Sequence, residues 1–141
     1  MSTYSEIVFP TDGSDGSTAA FEHALTQARL HDARLHVLYV VDTTYAGVGS
    51  METAIAAMRE QGEATANELV GRAEADGIDA VAAIEEGDPY EEIVEYADSD
   101  VDLIVMGTHG RSGIDRYLLG SVTEKVVRTA DAPVLTVRTQ P

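Results

Sequence analysis

Five short apolar runs alternate with four longer stretches of helical period along this chain. No other feature constrains its fold as strongly. The runs are residues 6–10 (EIVFP), 34–41 (RLHVLYVV), 78–86 (IDAVAAIEE), 102–106 (DLIVM) and 133–139 (PVLTVRT). The second is nearly continuous in apolar residues, as expected of a strand covered on both faces. The third is poorest in bulky residues, and the last alternates Leu135 and Val137 with Thr136 and Arg138. Both patterns suit sheet edges. A helix is predicted over residues 17–31, where Ala20, Phe21, Ala24, Leu25 and Ala28 share one face. A second runs from Met51 to Ala75, with a stripe of Met51, Ala54, Ile55, Met58, Thr65, Ala66, Leu69, Val70 and Ala73. Gly62 and Gly71 weaken it by about 1 kcal/mol each relative to alanine, and Gly77 ends it as a C-terminal cap. Asp88, Pro89 and Glu91 start a third helix as cap, first-turn proline and back-reaching carboxylate. The fourth covers residues 120–130. Strands alternating with helices require crossovers, hence an open parallel sheet with helices on both faces. At 141 residues, with no repeat, linker or low-complexity run, one domain over residues 1–141 is expected.

In such sheets ligands lie beyond the carboxyl ends of the strands, where strand order reverses. Residues 10–13, 40–43 and 106–110 are expected to meet there. The most informative segment is residues 103–127, LIVMGTHGRSGIDRYLLGSVTEKVV. Gly107, Gly110 and Gly120, followed by Ser121, lie between a buried strand and a helix start. Glycine allows φ > 0 and close backbone approach. A helix start offers unpaired N–H groups and a positive dipole end to an anion. Ser121 and Thr123 add hydroxyls, so the set points to phosphate. Taken singly, each glycine is ordinary punctuation.

Charge supports the same corner. The chain has 9 basic and 25 acidic residues, for a net charge of −16. Such a surface repels nucleic acid and anionic membranes. Around the glycines the balance reverses, with Arg111, Arg116, Lys125 and Arg128 against Asp115 and Glu124. Lys125 is the only lysine in the chain, and that composition is expected of a salt-rich cytoplasm. The chain has no cysteine, no membrane-length apolar run and no signal-peptide pattern, which also fits the cytoplasm.

Other chemistries have less support. No GxxxxGK[ST] loop occurs, and the first strand–helix junction, TDGSDGS, is not a GxGxxG turn. Asp12 in that junction is placed to accept from a ribose hydroxyl or to serve the turn. His23, His31, His36 and His109 lack metal-ligand spacing, and His36 within an apolar strand reads as a satisfied core histidine. GRSG is not a nucleophile elbow. No catalytic residue is assigned.

The chain resembles the universal stress proteins over essentially its whole length. The resemblance is carried by PTDGS at Pro10, VVD at Val40, GDP at Gly87, DLIVMGTHGRSG and LLGSVTEKVVRTADAPVLTVR. The G-x2-G-x9-G-[ST] spacing marks the ATP-binding branch. The resemblance implies a Rossmann-like sheet of order 3-2-1-4-5, similar to adenine nucleotide alpha hydrolases. It implies that Asp12 holds the ribose and that backbone near Thr11 and Val40 holds the adenine. Gly107, Gly110, Gly120, Ser121, Val122 and Thr123 surround the phosphates, with a divalent ion, Mg or Mn. Pro10, Met106 and Arg111 complete the nucleotide-binding set. It further implies a homodimer through residues 133–138, a strand beginning at Pro133 and closing at Arg138. The expected function is ATP-dependent stress regulation with slow or no hydrolysis. An adenylating or ATP-hydrolysing enzyme of the same fold type is the alternative, although TDGSDGS only loosely resembles the SGGxDS loop of such enzymes. A flavodoxin-like carrier is disfavoured by the acidic first loop and the absence of tryptophan.

Overall fold

The computed structural model describes residues 3–44, 51–98, 100–108 and 120–138. The elements follow the order β1 (Glu6–Thr11), α1 (Asp15–His31), β2 (Arg34–Asp42), α2 (Met51–Ala75), β3 (Ala80–Gly87), α3 (Pro89–Ala97), β4 (Leu103–Gly107), α4 (Ser121–Thr129), β5 (Val134–Val137). All pairings are parallel and the sheet order is β3-β2-β1-β4-β5. This is the expected 3-2-1-4-5 architecture, with β3 and β5 at the edges.

The even–odd alternation of the central strands divides the core between the two faces. Ile7, Phe9, Leu35, Val37 and Val105 point toward α1 and α2, where they meet Ala20, Phe21, Ala24, Ala28, Ala66 and Ala73. Val8, Leu38, Ile104 and Met106 point the other way, against Ile93 and Ala97 of α3 and Val126 of α4. Burial of both faces explains the continuous apolar runs.

The helix ends follow from local chemistry. Ser14 caps α1 by accepting from Ser17 N–H. Asp32 closes α1 in the left-handed conformation, φ 53, and its N–H reaches the carbonyls of Ala28 and Arg29. Gly77 does the same after α2, with φ +79. Asp88 caps α3 through Tyr90 N–H, with Pro89 in the first turn.

The α2 stripe holds only in its C-terminal half. Ala66 and Ala73 are fully buried, but Ala54 is exposed and Met58 is 36% exposed. Length accounts for this. A helix of 25 residues is about 38 Å long, whereas the eight residues of β3 span about 26 Å. Roughly two turns of α2 therefore extend past the carboxyl edge of the sheet.

Candidate functional site

Strand order reverses between β1 and β4, and there the sheet opens. The β1–β2 ladder runs from Glu6↔Arg34 to Thr11↔Tyr39. The β1–β4 ladder covers only Ile7↔Leu103 and Val8↔Ile104. The last residues of β1 thus pair on one side alone, leaving a crevice between the carboxyl ends of β1 and β4.

One wall of the crevice is the turn from β1 into α1. Thr11 Oγ1 accepts from Gly13 N–H at 3.0 Å and lies 2.6 Å from Ser17 Oγ. Asp12 Oδ1 accepts from Ser14 N–H at 2.9 Å. Asp12 is half-buried and serves the turn, while its carboxylate remains at the strand end. Pro10 and Thr11 are buried and Val40 is half-buried.

The other wall joins β4 to α4. Gly120 N–H donates to Thr108 O at 2.7 Å, and Thr108 N–H donates to Val137 O at 2.9 Å. The two ends of residues 108–120 therefore meet. Thr123 is 3% exposed, and its hydroxyl donates to Gly107 O at 2.8 Å. That bond pins the first turn of α4 to the end of β4. The Thr123 proton is engaged in structure, whereas Ser121 is exposed and Val122 half-buried.

Gly120 supplies no side-chain cap to α4, unlike Ser14 on α1 and Asp88 on α3. The first N–H groups of this helix therefore receive no side-chain cap from Gly120. Gly120 has φ −62 and Gly107 ends a strand, so neither needs positive φ. At these two positions the expectation of φ > 0 is not met, and close approach is the property that remains. Met106 and Gly107 are buried at the end of β4. Gly110 and Arg111 lie outside the described residues, as do His109, Asp115 and Arg116.

Of the four cations counted near the glycines, Lys125 and Arg128 are among the described residues. Arg128 pairs with Glu124, one helical turn away. Lys125 Nζ sits 5.4 Å from the Tyr90 ring centroid. Lys125 thus meets α3, and Arg128 is paired within α4.

A cavity of about 660 Å³ lies elsewhere, between α3 and the starts of β1 and β2. Its lining sets Glu6, Glu85, Glu92, Glu95 and Asp100 against one arginine, Arg34, a predominantly acidic wall that disfavours polyphosphate. His36 borders it as the satisfied histidine expected from its strand position. Nδ1 lies 2.8 Å from Tyr96 Oη, and Nε2 lies 2.6 Å from Glu6 Oε1. Burial raises the Tyr96 phenol above its ordinary value, and Glu85 and Glu6 add to the rise. Loss of solvation raises the Glu92 carboxyl, helped by Glu95, Glu85, Glu91 and Asp88.

Sequence reasoning missed Tyr39 and Thr65 near the β1–α1 turn, and Gly62 against the Tyr39 ring. The available signal was Gly62, an isolated glycine inside a helix, which often marks a packing constraint.

The universal stress protein family model matches residues 3–138. A universal stress protein of Methanocaldococcus jannaschii is 42% identical over 140 residues, spanning 96% of this chain and 82% of its own. The structure of UspA from Lactobacillus plantarum superposes with a TM-score of 0.84 at 29% identity, covering 98% of this chain and 100% of that one. A universal stress protein in complex with cAMP superposes with a TM-score of 0.78 at 31% identity, covering 99% and 100%. This chain belongs to the universal stress protein family.

Proposed function

We propose that this protein binds ATP in the β1–β4 crevice as a regulatory ligand and hydrolyses it slowly or not at all. The observation that carries this reading is the opening of the β1–β4 ladder beside a helix start without a side-chain cap. The cAMP complex of a relative supports an adenine nucleotide as the ligand. Asp12 holds the ribose, and backbone near Pro10, Thr11 and Val40 receives the adenine. The phosphates lie against Met106, Gly107 and the α4 start at Gly120, Ser121, Val122 and Thr123, with Gly110 and Arg111 completing the cradle. Mg or Mn accompanies the nucleotide. Among the described residues no three His, Cys, Asp or Glu side chains group to hold a metal. That suits an ion carried mainly by phosphate and water. Slow turnover follows from the missing Walker lysine and from the lack of an assignable general base.

The same reading places a homodimer contact along β5, within residues 133–138, because β5 ends the sheet and an open edge invites pairing. It places the protein in a salt-rich cytoplasm, on the strength of the net charge of −16.

The test is to identify nucleotide released on denaturing the purified protein, and to measure binding of added ATP, AMP and cAMP by calorimetry. ATP is expected to be released and to bind best, and Gly110→Val is expected to abolish binding. No released nucleotide and no binding of added ATP would sink the reading.

A further inference from the structure

Ser17 stands on the buried face of α1, one helical turn before Ala20 and Phe21. A helix face turned to the core is ordinarily apolar, yet here it carries a hydroxyl. Thr11, the last residue of β1, faces it with a second. Each residue is only 7% exposed. Buried hydroxyls need partners, and the partners of these two fix the direction of every proton. Ser17 Oγ lies 3.0 Å from Ser14 O. A carbonyl cannot donate, so the single Ser17 proton goes there. Thr11 Oγ1, 2.6 Å from Ser17 Oγ, must then donate to it. Thr11 Oγ1 in turn accepts from Gly13 N–H at 3.0 Å.

Asp12 sits inside this circuit. Ser17 holds the residue before it through Thr11 and the residue two beyond it through Ser14. Ser14 N–H also donates to Asp12 Oδ1 at 2.9 Å, which orients the carboxylate. A carboxylate has about four lone-pair sites, so one such bond does not exhaust it as an acceptor. The anchor itself is firm, because Ala20, Phe21 and Ala24 of α1 are fully buried. Without Ser17 Oγ the Thr11 proton loses its acceptor, and the strand end loses its tether to α1. Ser14 O keeps the N–H groups of Ser17 and Thr18, so the helix start itself persists.

Resting on the nucleotide reading of the crevice, we infer that Ser17 is a positioning residue. Its hydroxyl takes the Thr11 proton, gives its own to Ser14 O, and so presets the Asp12 carboxylate for the ribose hydroxyls. A binding group held in place beforehand by such supporting bonds loses less freedom when the ligand arrives.

The test compares ATP with its dideoxy analogue, which lacks both ribose hydroxyls, by calorimetry on the full chain. Hydrogen bonds to a carboxylate make wild type favour ATP on the order of tenfold or more. In Ser17→Ala that preference is expected to fall below about threefold, while the analogue binds within about twofold of wild type. General loosening of the crevice would instead weaken both ligands in parallel. Thr11→Val breaks the same bond from the other side and carries the test if Ser17→Ala does not fold. In the double variant the preference is expected to fall no further, because the two hydroxyls act as one unit. Thr18→Ala removes an exposed hydroxyl that also donates to Ser14 O, at 3.3 Å, and is expected to keep the wild-type preference. Full preference in Ser17→Ala, parallel loss of both ligands, or an equal collapse in Thr18→Ala would each overturn the inference. A wild-type protein that binds no ATP overturns the nucleotide reading and this inference together. Wild-type ATP binding and ribose preference that Ser17→Ala leaves unchanged overturns this inference alone.

Discussion

Two glycines on one helix carry opposite expectations. Gly71 has nothing within 4 Å of a built Cβ, whereas the Gly62 Cβ meets the Tyr39 ring at 2.5 Å. Gly71→Ala is expected to stabilise the protein by about 0.5–1 kcal/mol through helix propensity and a less flexible unfolded chain. Gly62→Ala gains the same propensity but overpacks, for a net loss of about 1–3 kcal/mol. Denaturant midpoints of the two variants would read the signs directly, and a shared sign would contradict the packing argument. The sequence marks both residues only as helix weakeners, because periodicity orders residues within an element and is silent on contacts between elements. Thr123 teaches the same lesson. Its place at a helix start suggested a hydroxyl for a ligand, but the hydroxyl donates to Gly107 O. Thr123→Val is expected to leave that buried carbonyl without its donor, costing about 1–3 kcal/mol in unfolding free energy.

At the scale of elements, the succession, direction and edges of the strands were legible because each pattern is local, whereas the sheet order followed only from the family resemblance. Continuous apolar runs marked strands covered on both faces, and Asp88-Pro89 marked a helix start. The α2 stripe misled in its first half because amphipathic period says nothing about how far the sheet extends beneath a helix. The charge count near the glycines is only partly visible in the fold. Lys125 lies over the Tyr90 ring and Arg128 pairs with Glu124, while Arg111 and Arg116 lie outside the described residues. α3 carries a testable consequence of the acidic wall. Loss of solvation and four neighbouring carboxylates raise the Glu92 carboxyl above its ordinary value. A carboxyl raised in the fold favours the folded state while protonated. That contribution is full below the ordinary carboxylate range and is lost as pH rises through the raised value. At neutral pH ionised Glu92 therefore works against the fold. Glu92→Gln is expected to raise the melting temperature at neutral pH on the order of a degree or two. The advantage should shrink as the pH is lowered through the carboxylate range. A variant less stable than wild type at neutral pH would refute the sign.

For the whole molecule, the dominant fact is a net charge of −16 on 141 residues. Salt acts on it in two directions. Arg29, Arg34, Arg59, Arg72 and Arg128 each pair with carboxylates, and screening weakens those pairs. All five are well exposed, and an exposed pair contributes only about 0–1 kcal/mol. Against this stands the repulsion among 25 acidic side chains, most of which have no cation to meet. Repulsion in a compact fold sums over many pairs, and salt shortens its range from about 10 Å at 0.1 M to about 3 Å at 1 M. The repulsive side wins, so stability is expected to rise with salt. Raising KCl from about 0.1 M to about 2 M should increase the melting temperature by at least about 5 °C. Hydrophobic strengthening by salt could mimic that slope, so a charge variant is the deciding arm. Glu52, Glu60 and Glu68 are exposed on α2. Changing all three to glutamine should raise stability at low salt and flatten the KCl dependence. If the slope were unchanged in the triple variant, the salt response would belong to burial rather than to charge.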